Sequence, residues 1–247
     1  MKNIKILNLG CGTKTSHRNN VVNIDWSVML RIRSNPILKL CAPFILKMDR
    51  MARFRSLPRN IIVHNLSKGI PFSNCSVDVV YHSHVLEHLD RHVAADFVRE
   101  AARVLNQGGI LRVVVPDFER YCRAYLAHIA ACEREGGAEI ECHDSYLEPM
   151  LLMSVRREAY GTSQQKPLRR FIENLFLGDS RRRGENHQWM YDRFNLEALL
   201  RNNGFSEVTV QSFNTSLIPG WVELGLDHNM DGEEYKPESL YVEAVKA

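Results

Sequence analysis

The amino-acid sequence predicts an α/β fold in which a mostly parallel sheet carries helices on both faces. Short β-branched runs alternate along the chain with segments of helical periodicity, as they do in consecutive βαβ units. The 247 residues are 45% hydrophobic, which is sufficient for one large core. We therefore expect a single domain over residues 1–247.

Seven runs of residues are predicted to be strands. Residues 4–9 form an apolar run that indicates a strand buried on both faces. The next run, Val21–Asp25, follows so soon that the first crossover must be brief. The connection between the last two strands is too polar for a helix, so these strands are expected to pair antiparallel. The later strands are expected at residues 61–65, 77–82, 110–115, 206–213 and 240–245.

Helices are predicted between these strands. Residues 85–105 carry apolar side chains at helical spacing and stop at Gly108-Gly109, a C-terminal signal. Residues 118–179 are mainly helical and polar, and a basic cluster follows at Arg181-Arg182-Arg183. A short amphipathic helix is expected at residues 194–203.

The net charge and the cysteine spacing indicate which partners and which cellular compartment to expect. The formal net charge of +3 is too small to predict a nucleic-acid surface. The six cysteines show no C-x-x-C spacing, which favours reduced and buried thiols. Met1-Lys2-Asn3 leads straight into a strand and leaves no room for a signal peptide, and no apolar run has the length of a membrane span. We therefore expect a cytoplasmic protein that does not bind nucleic acid.

The first strand ends in Gly10-Cys11-Gly12, a turn that lets the main chain approach a ligand. Ser16-His17 falls where a pyrophosphate loop would need a third glycine, which weakens the case for a dinucleotide. Asp25, at the tip of the second strand, is placed to accept hydrogen bonds from ribose hydroxyls. Asn65-Leu66, at the tip of the third strand, is placed against an adenine edge.

Four successive segments resemble the class I S-adenosylmethionine-dependent methyltransferases of the small-molecule, methyltransferase-11-like type. The resemblance implies a Rossmann-like sheet of seven strands with an antiparallel last strand, and S-adenosylmethionine as the cofactor. It also implies methyl transfer to an oxygen or nitrogen of a small-molecule or glycan-type acceptor and, by association, a bacterial cell-envelope precursor. The four segments are LNLGCGT, VVNIDWS, HNLSKGIPFSNCSVDVVYHSHVLEHL and REAARVLNQGGILRVVVPD.

The resemblance assigns cofactor contacts by position. Gly10 and Gly12 would lie under the methionine part, Asp25 would hold the ribose, and Asn65 would face the adenine amino group. The family often has aspartate at the position of Asn65, so a charge-assisted hydrogen bond to adenine is lost here. The alternative for Asp25 is an ordinary strand-end turn aspartate. The expected cofactor contacts are Leu9, Gly10, Cys11, Gly12, Asp25, Asn65, Leu66, His82 and Ser83.

Two residues that follow predicted strands are candidates for catalysis. His84 follows the fourth strand, where cofactor and acceptor meet in this family, and a histidine can act as a general base near neutral pH. Alignment of the acceptor with the sulfonium could instead supply most of the reactivity without a base. Asp117 follows the fifth strand and either faces the acceptor or caps the helix that starts at Phe118.

His187 is the third catalytic candidate and lies in the region of residues 118–192, which we call the predicted lid. The segment ENHQWMYD resembles the H-x-W-x-Y-D pattern of related sequences. Either His187 and Tyr191 line the acceptor pocket, or Trp189 and Tyr191 pack the lid onto the sheet.

His84, Glu87 and His88 have the spacing i, i+3, i+4, which would put three metal-binding side chains on one helix face. Some RNA and quinone-precursor methyltransferases bind metal at such a place, whereas other members use the Glu-His pair to buttress the loop. We expect no metal here unless a fourth ligand such as His187 closes in.

Residues 27–60 form a predicted helical insertion that is both apolar and basic, with eight Lys or Arg against Asp49 alone. The insertion either lies on a membrane surface bearing anionic lipid or caps the adenosine pocket with its arginines in solvent; the cap is the favoured interpretation. Its charge would also suit an anionic substrate such as a nucleotide sugar or a phosphorylated glycan.

Two other functions share parts of this pattern. A nicotinamide-dependent dehydrogenase also begins with a strand, a Gly-x-Gly turn and an acidic strand tip, but the missing third glycine and the Asn65-Leu66 and Gly108-Gly109 signals argue against it. The second is a non-catalytic adenosyl-binding module that keeps the fold, which the replacement of the family's usual aspartate by Asn65 permits.

Overall fold

The structure is a computed structural model that describes residues 4–45, 48–153 and 186–247. Lys47 of the insertion, residues 154–185 of the predicted lid and the basic cluster Arg181-Arg182-Arg183 lie outside the described residues.

One sheet of seven strands organises the described part of the chain. The strands are β1 (Ile6–Leu9), β2 (Val21–Asp25), β3 (Ile61–Val63), β4 (Val77–Ser83), β5 (Leu105–Pro116), β6 (Phe205–Gln211) and β7 (Ser239–Lys246). Their order is β3-β2-β1-β4-β5-β7-β6. The pairs from β3 to β5 are parallel, and β7 is antiparallel to both β5 and β6. The predicted fold class and the antiparallel last strand are confirmed.

The described residues form eight α-helices, and the first three make up the predicted insertion. Ser27 begins the first of them, because its hydroxyl accepts a hydrogen bond from the N–H of Leu30. The helices are α1 (Val28–Ser34), α2 (Pro36–Ile45), α3 (Met48–Ser56), α4 (Arg91–Val104), α5 (Phe118–Glu135), α6 (Ala138–Glu141), α7 (Asp144–Met153) and α8 (Arg193–Arg201).

The segment predicted as one helix at residues 85–105 is divided. A 3-10 turn, Leu86–His88, comes first, and Leu89 is extended with φ of −99° and ψ of 140° before α4 starts. Gly108-Gly109, predicted to stop the helix, lies within β5 instead, where the pairing register with β4 shifts. Gly108 has a φ of 72°, which glycine adopts without strain.

The larger core lies between one face of the sheet and the two helices α4 and α8. Val98 and Ala101 of α4 and Leu196 and Leu200 of α8 are buried in one cluster with Leu9 and other sheet residues. In each helix the buried residues recur at three- or four-residue spacing, so a single apolar stripe faces the sheet.

The centre of the second face is covered by the connection from β6 to β7, residues 212–238, where helices were expected. Trp221 and Leu226 of this connection are buried against Tyr81 and Tyr241. Among the described residues, no helix covers this part of the sheet because the crossover between β1 and β2 is short, as predicted. The residues between these two strands are too few to lay a helix across the sheet.

A buried arginine of β5 anchors this connection. Arg112 is inaccessible to solvent, and its Nε donates to Asp227 at 2.8 Å while Nη1 donates to Glu243 at 2.7 Å. The guanidinium also donates to the main-chain carbonyls of Thr215 at 3.0 Å and Ser212 at 2.8 Å. The charge is therefore paired, and each of the three guanidinium nitrogens is hydrogen-bonded, as burial demands.

The two carboxylates are satisfied in turn by neighbouring donors. Asp227 accepts from the Tyr81 hydroxyl at 2.6 Å and from the Trp221 indole at 2.8 Å. Glu243 accepts from the main-chain N–H of Leu217 at 2.7 Å. The network thus ties β4, β5 and β7 to residues 212–238.

Replacing Arg112 with methionine should lower the free energy of unfolding by about 3–5 kcal/mol, because two buried carboxylates lose their counter-charge. Urea unfolding followed by circular dichroism measures the change. Arg201→Met is the matched control, since Arg201 pairs with Glu197 on the exposed face of α8 and its loss should cost less than about 1 kcal/mol. Equal losses in the two variants would contradict the role given to the network.

Candidate functional site

The carboxyl ends of β1 to β5 meet at one edge of the sheet, and the predicted cofactor residues lie along it. Gly10 has φ of +62° and Gly12 has φ of +53°, so both need the left-handed conformation that favours glycine. A side chain at Gly10 would come within 2.5 Å of Val85, which means that the turn after β1 packs tightly on the turn after β4. At Gly12 no heavy atom lies within 4 Å of an added Cβ, so this glycine faces open space.

Asp25 holds the turn after β1 in place. Its Oδ2 accepts from the main-chain N–H of Gly12 at 2.8 Å, and its Oδ1 accepts from that of Ser27 at 2.7 Å. A carboxylate has about four acceptor positions, so these two bonds leave lone pairs for further donors. Asp25 therefore has the contacts of a strand-end turn and also keeps the capacity to bind hydroxyl groups.

Asn65 begins a 3-10 turn after β3. Its side-chain oxygen accepts from the N–H of Ser67 at 3.0 Å, and the neighbouring His64 N–H donates to the carbonyl of Asp25 at 3.1 Å. The tips of β2 and β3 are thus hydrogen-bonded to each other beside Gly12. The oxygen that was expected to face an adenine amine already has one donor and can take one more.

Several predicted cofactor residues have buried side chains and would contact a ligand through the main chain. Leu9 lies in the larger core, and Cys11 packs with Leu30 of α1. His82 is fully buried and stands edge-on to Phe97, with ring centroids 5.2 Å apart. Burial lowers the pKa of His82 to about 4, so its ring is neutral at physiological pH.

Ser83 and Leu66 are half-buried, Ser83 as the last residue of β4 and Leu66 against the larger core. The open face of Gly12 and the remaining acceptor capacity of Asp25 fit an adenosyl group with its ribose against β2. The main chain at Leu9, Cys11 and Ser83 borders the same edge of the sheet.

His84 is paired with a buried carboxylate immediately after β4. Its Nδ1 lies 3.3 Å from Oε1 of Glu87, and its Nε2 lies 2.9 Å from the hydroxyl of Ser239. A hydrogen on Nδ1 would face this carboxylate, which can only accept, and would leave Nε2 to accept from the hydroxyl. The main chain of His84 has φ of +53°, a left-handed conformation that costs energy for a non-glycine residue.

The side chain of Glu87 is 1% exposed, and it lies close to both His84 and His88. Burial would raise its pKa, but the nearby imidazoles of His84 and His88 outweigh burial and hold the pKa below its usual value. The carbonyl of Glu87 also accepts from the N–H groups of Gln188 at 2.7 Å and Trp189 at 3.2 Å. One residue therefore joins the turn after β4 to the end of the predicted lid.

Glu87, His88 and His187 each bring a potential metal-ligand atom within 4.8 Å of the others. His88 Nδ1 is 3.2 Å from the carbonyl of Asn186, and His187 Nδ1 is 3.0 Å from that of Met153. Each Nδ1 therefore carries a hydrogen and each Nε2 presents a lone pair. His84, predicted as the first member of a metal-binding face, is bound to Ser239 and is not in this group.

Asp117 caps α5, since its side chain accepts from the N–H of Arg120 at 3.3 Å. Burial raises its pKa from the ordinary aspartate value. Its main chain pairs with Tyr191 and receives support from Glu238, whose carbonyl accepts from the Asp117 N–H. The capping role is therefore present in the structure.

A narrow cleft lies at the end of β5 and is lined by both Glu87 and His187. Phe118 and Tyr121 of α5 and Met153 at the end of α7 form its other walls.

The end of the predicted lid packs against the larger core and also borders this cleft. Tyr191 is 4% exposed within the larger core and also borders the cleft. Trp189 borders the cleft too, and the guanidinium of Arg91 lies 4.4 Å from its ring centroid. Ser239, which holds His84, was missed by the sequence analysis because no local pattern links two residues that are 155 positions apart.

Part of the chain matches a known family. Residues 40–113 match the family model described as a methyltransferase domain, a segment that runs from α2 into β5 and begins after Gly12 and Asp25. No curated protein matches the sequence.

Solved structures similar to the chain include three methyltransferases. A putative methyltransferase from Haloferax volcanii, in complex with the Trm112 methyltransferase activator, is 14% identical over 99% of this chain and 83% of its own, with a TM-score of 0.41. A Thermotoga maritima protein described as a possible histamine N-methyltransferase is 14% identical over 98% and 82%, with a TM-score of 0.39. A SAM-dependent methyltransferase from Methanosarcina mazei is 17% identical over 100% and 94%, with a TM-score of 0.44.

The sheet order confirms the predicted fold class, and the match over residues 40–113 supports the prediction of a methyltransferase that uses S-adenosylmethionine.

Proposed function

We propose that this enzyme methylates an oxygen or nitrogen of a small-molecule or glycan-type acceptor, with His84 as the general base. The observation that supports the proposal most directly is the pairing of His84 with the buried carboxylate of Glu87 at the cleft. A carboxylate that binds one ring nitrogen of a histidine orients the other nitrogen and stabilises the imidazolium that forms on proton uptake.

The cofactor, when bound, supplies an electrophilic methyl group on a sulfonium sulfur. Asp25 would hold the ribose hydroxyls with its remaining lone pairs, and Gly12 would leave room for the ligand above the turn after β1. Asn65 would accept from the adenine amine, and Leu66 would lie beside the adenine. The remaining contacts to the cofactor would come from main-chain atoms, those of Leu9, Gly10, Cys11, His82 and Ser83.

The acceptor would enter between α5 and α7. His84 would take at Nε2 the proton that the acceptor hydroxyl or amine loses as it bonds to carbon. The Ser239 hydroxyl lies 2.9 Å from this nitrogen, so the acceptor would have to take its place. His187, on the wall of the same cleft, is the alternative base, and Asp117 would orient the acceptor from the start of α5.

Removing the carboxylate of Asp25 should weaken binding of S-adenosylhomocysteine by roughly 1–3 kcal/mol, because two ribose hydroxyls lose their acceptor. Isothermal calorimetry of Asp25→Ala measures the change, and Asp96→Ala, on the exposed face of α4, is the control and should bind as the wild type does. Unchanged affinity in Asp25→Ala would place the ribose elsewhere. Tight binding of NAD without a response to S-adenosylhomocysteine would favour the dehydrogenase.

His84→Asn should lower the methyl-transfer rate by about 10²–10⁴-fold while leaving the affinity for S-adenosylhomocysteine unchanged. The rate is measured as S-adenosylhomocysteine released from a panel of phenols, amines and phosphorylated glycans. His92→Asn is the control, since His92 is exposed at the start of α4. A rate within tenfold of the wild type in His84→Asn would show that alignment suffices without this base, and His187→Asn then tests the alternative.

We also propose that the insertion binds an anionic membrane surface. On α2, Ile37 is 73% exposed, Leu38 is 41% exposed and Leu40 is 78% exposed, so these side chains do not form the buried contacts that a cap would need. Arg31 and Arg33 of α1 stand close by in the chain and would meet lipid phosphates. Within the described residues, no helix is both long enough and apolar enough to cross a bilayer.

Ile37→Asp together with Leu40→Asp should reduce co-sedimentation with phosphatidylglycerol vesicles at least tenfold, because two apolar side chains no longer enter the lipid. Leu126→Asp is the control, since Leu126 on α5 is equally apolar and 63% exposed. Binding of the wild type that is equal on phosphatidylcholine, or absent on both lipids, would contradict the proposal.

A further inference from the structure

A cluster of metal-binding side chains lies in the helices α5, α6 and α7, apart from the turns that would hold the cofactor. His128 and Cys132 are one turn apart on α5, and Cys142-His143 lies between α6 and α7. In the sequence the cysteines show no metal-binding spacing. The fold brings Cys132 to both His128 and His143, and Cys142 to His128.

The distances within the cluster are those of a metal site. Cys132 Sγ lies 3.3 Å from His128 Nε2 and 4.0 Å from His143 Nδ1, and the three donor atoms all lie within 4.8 Å of one another. Zinc bonds of about 2.3 Å to sulfur and 2.0–2.1 Å to nitrogen, at tetrahedral angles, separate the two donors by about 3.5 Å. The two observed separations lie on either side of this value.

His128 also has the supporting contacts of a metal ligand. It is 4% exposed, and its Nδ1 lies 3.5 Å from Oε2 of Glu139, which leaves Nε2 free to bind. A carboxylate on the far nitrogen of a ligating histidine fixes the tautomer and the ring orientation. The ring is further held by Tyr146 of α7, which stacks on it with centroids 3.9 Å apart and an interplanar angle of 8°.

We propose that His128, Cys132 and His143 bind one zinc ion, and that Cys142 turns from the carbonyl of Glu139 to become the fourth ligand. Cys142 Sγ belongs to a second group with His128 and Glu139 whose donor atoms lie within 4.8 Å of one another. Thiolate and imidazole ligands select zinc over magnesium and calcium, which prefer oxygen. Binding replaces the proton of each thiol with a bond to the metal and releases both protons to solvent.

The zinc ion would have a structural role in the acceptor side of the enzyme. It would join α5 to α6 and α7, and these helices carry Tyr121 and Met153, which line the cleft. The metal would therefore set the position of the cleft walls without touching the reacting atoms.

Cobalt titration of the full-length, reduced and chelator-treated protein tests the site. We expect one Co²⁺ per chain, with a thiolate-to-cobalt charge-transfer band, and displacement of the band by one equivalent of Zn²⁺. Cys132→Ser should lose the band and bind at least tenfold more weakly. Cys122→Ser, a cysteine of the same helix outside the cluster, should behave as the wild type does. Glu139→Gln should weaken binding about 10–100-fold.

Circular dichroism confirms that each variant is folded, and His143→Asn replaces Cys132→Ser if the latter is not. The proposal is overturned if the folded wild type gives no charge-transfer band. It is also overturned if a folded Cys132→Ser or His143→Asn variant binds Co²⁺ with wild-type affinity.

Discussion

The burial of Arg112 is the constraint on which the rest of the structure depends. A fully buried guanidinium is tolerated because two carboxylates and two main-chain carbonyls compensate it, and all four of these partners come from β7 or from the connection before it. The connection from β6 to β7 is thereby held over the face of the sheet that no helix after β1 covers. With that face covered, the five parallel strands present their carboxyl ends as one edge.

Two carboxylates shape the site at that edge. Asp25 fixes the turn after β1 through the N–H of Gly12, and Glu87 fixes the turn after β4 through His84. Because the carbonyl of Glu87 also accepts two main-chain N–H groups from the end of the predicted lid, the turn after β4 is hydrogen-bonded to residues that border the cleft. A movement of the lid would therefore shift the position of His84, whose main chain is already strained.

Residues suited to the cofactor and residues suited to an acceptor lie on different elements of the fold. The first three strands carry the residues suited to an adenosyl group, while β4, β5 and the helices α5 and α7 carry titratable and apolar groups suited to an acceptor. A zinc ion between α5 and α7 would stabilise the second part alone. The exposed apolar residues of α2 lie on the insertion between β2 and β3, so contact with a membrane would leave the cleft walls unaltered.

The sequence by itself determined the seven strands, the helical insertion and the position of Gly12, Asp25 and Asn65 at neighbouring strand tips. These features follow from local patterns, because strand periodicity and glycine turns report on each segment alone. The tertiary structure decided which groups meet. Ser239 reaches His84, residues 212–238 replace a helix over the second face, and His128 meets Cys132 and His143. A local pattern shows that a side chain will be buried, but the identity of its partner depends on long-range packing, and that is why these contacts escaped sequence analysis.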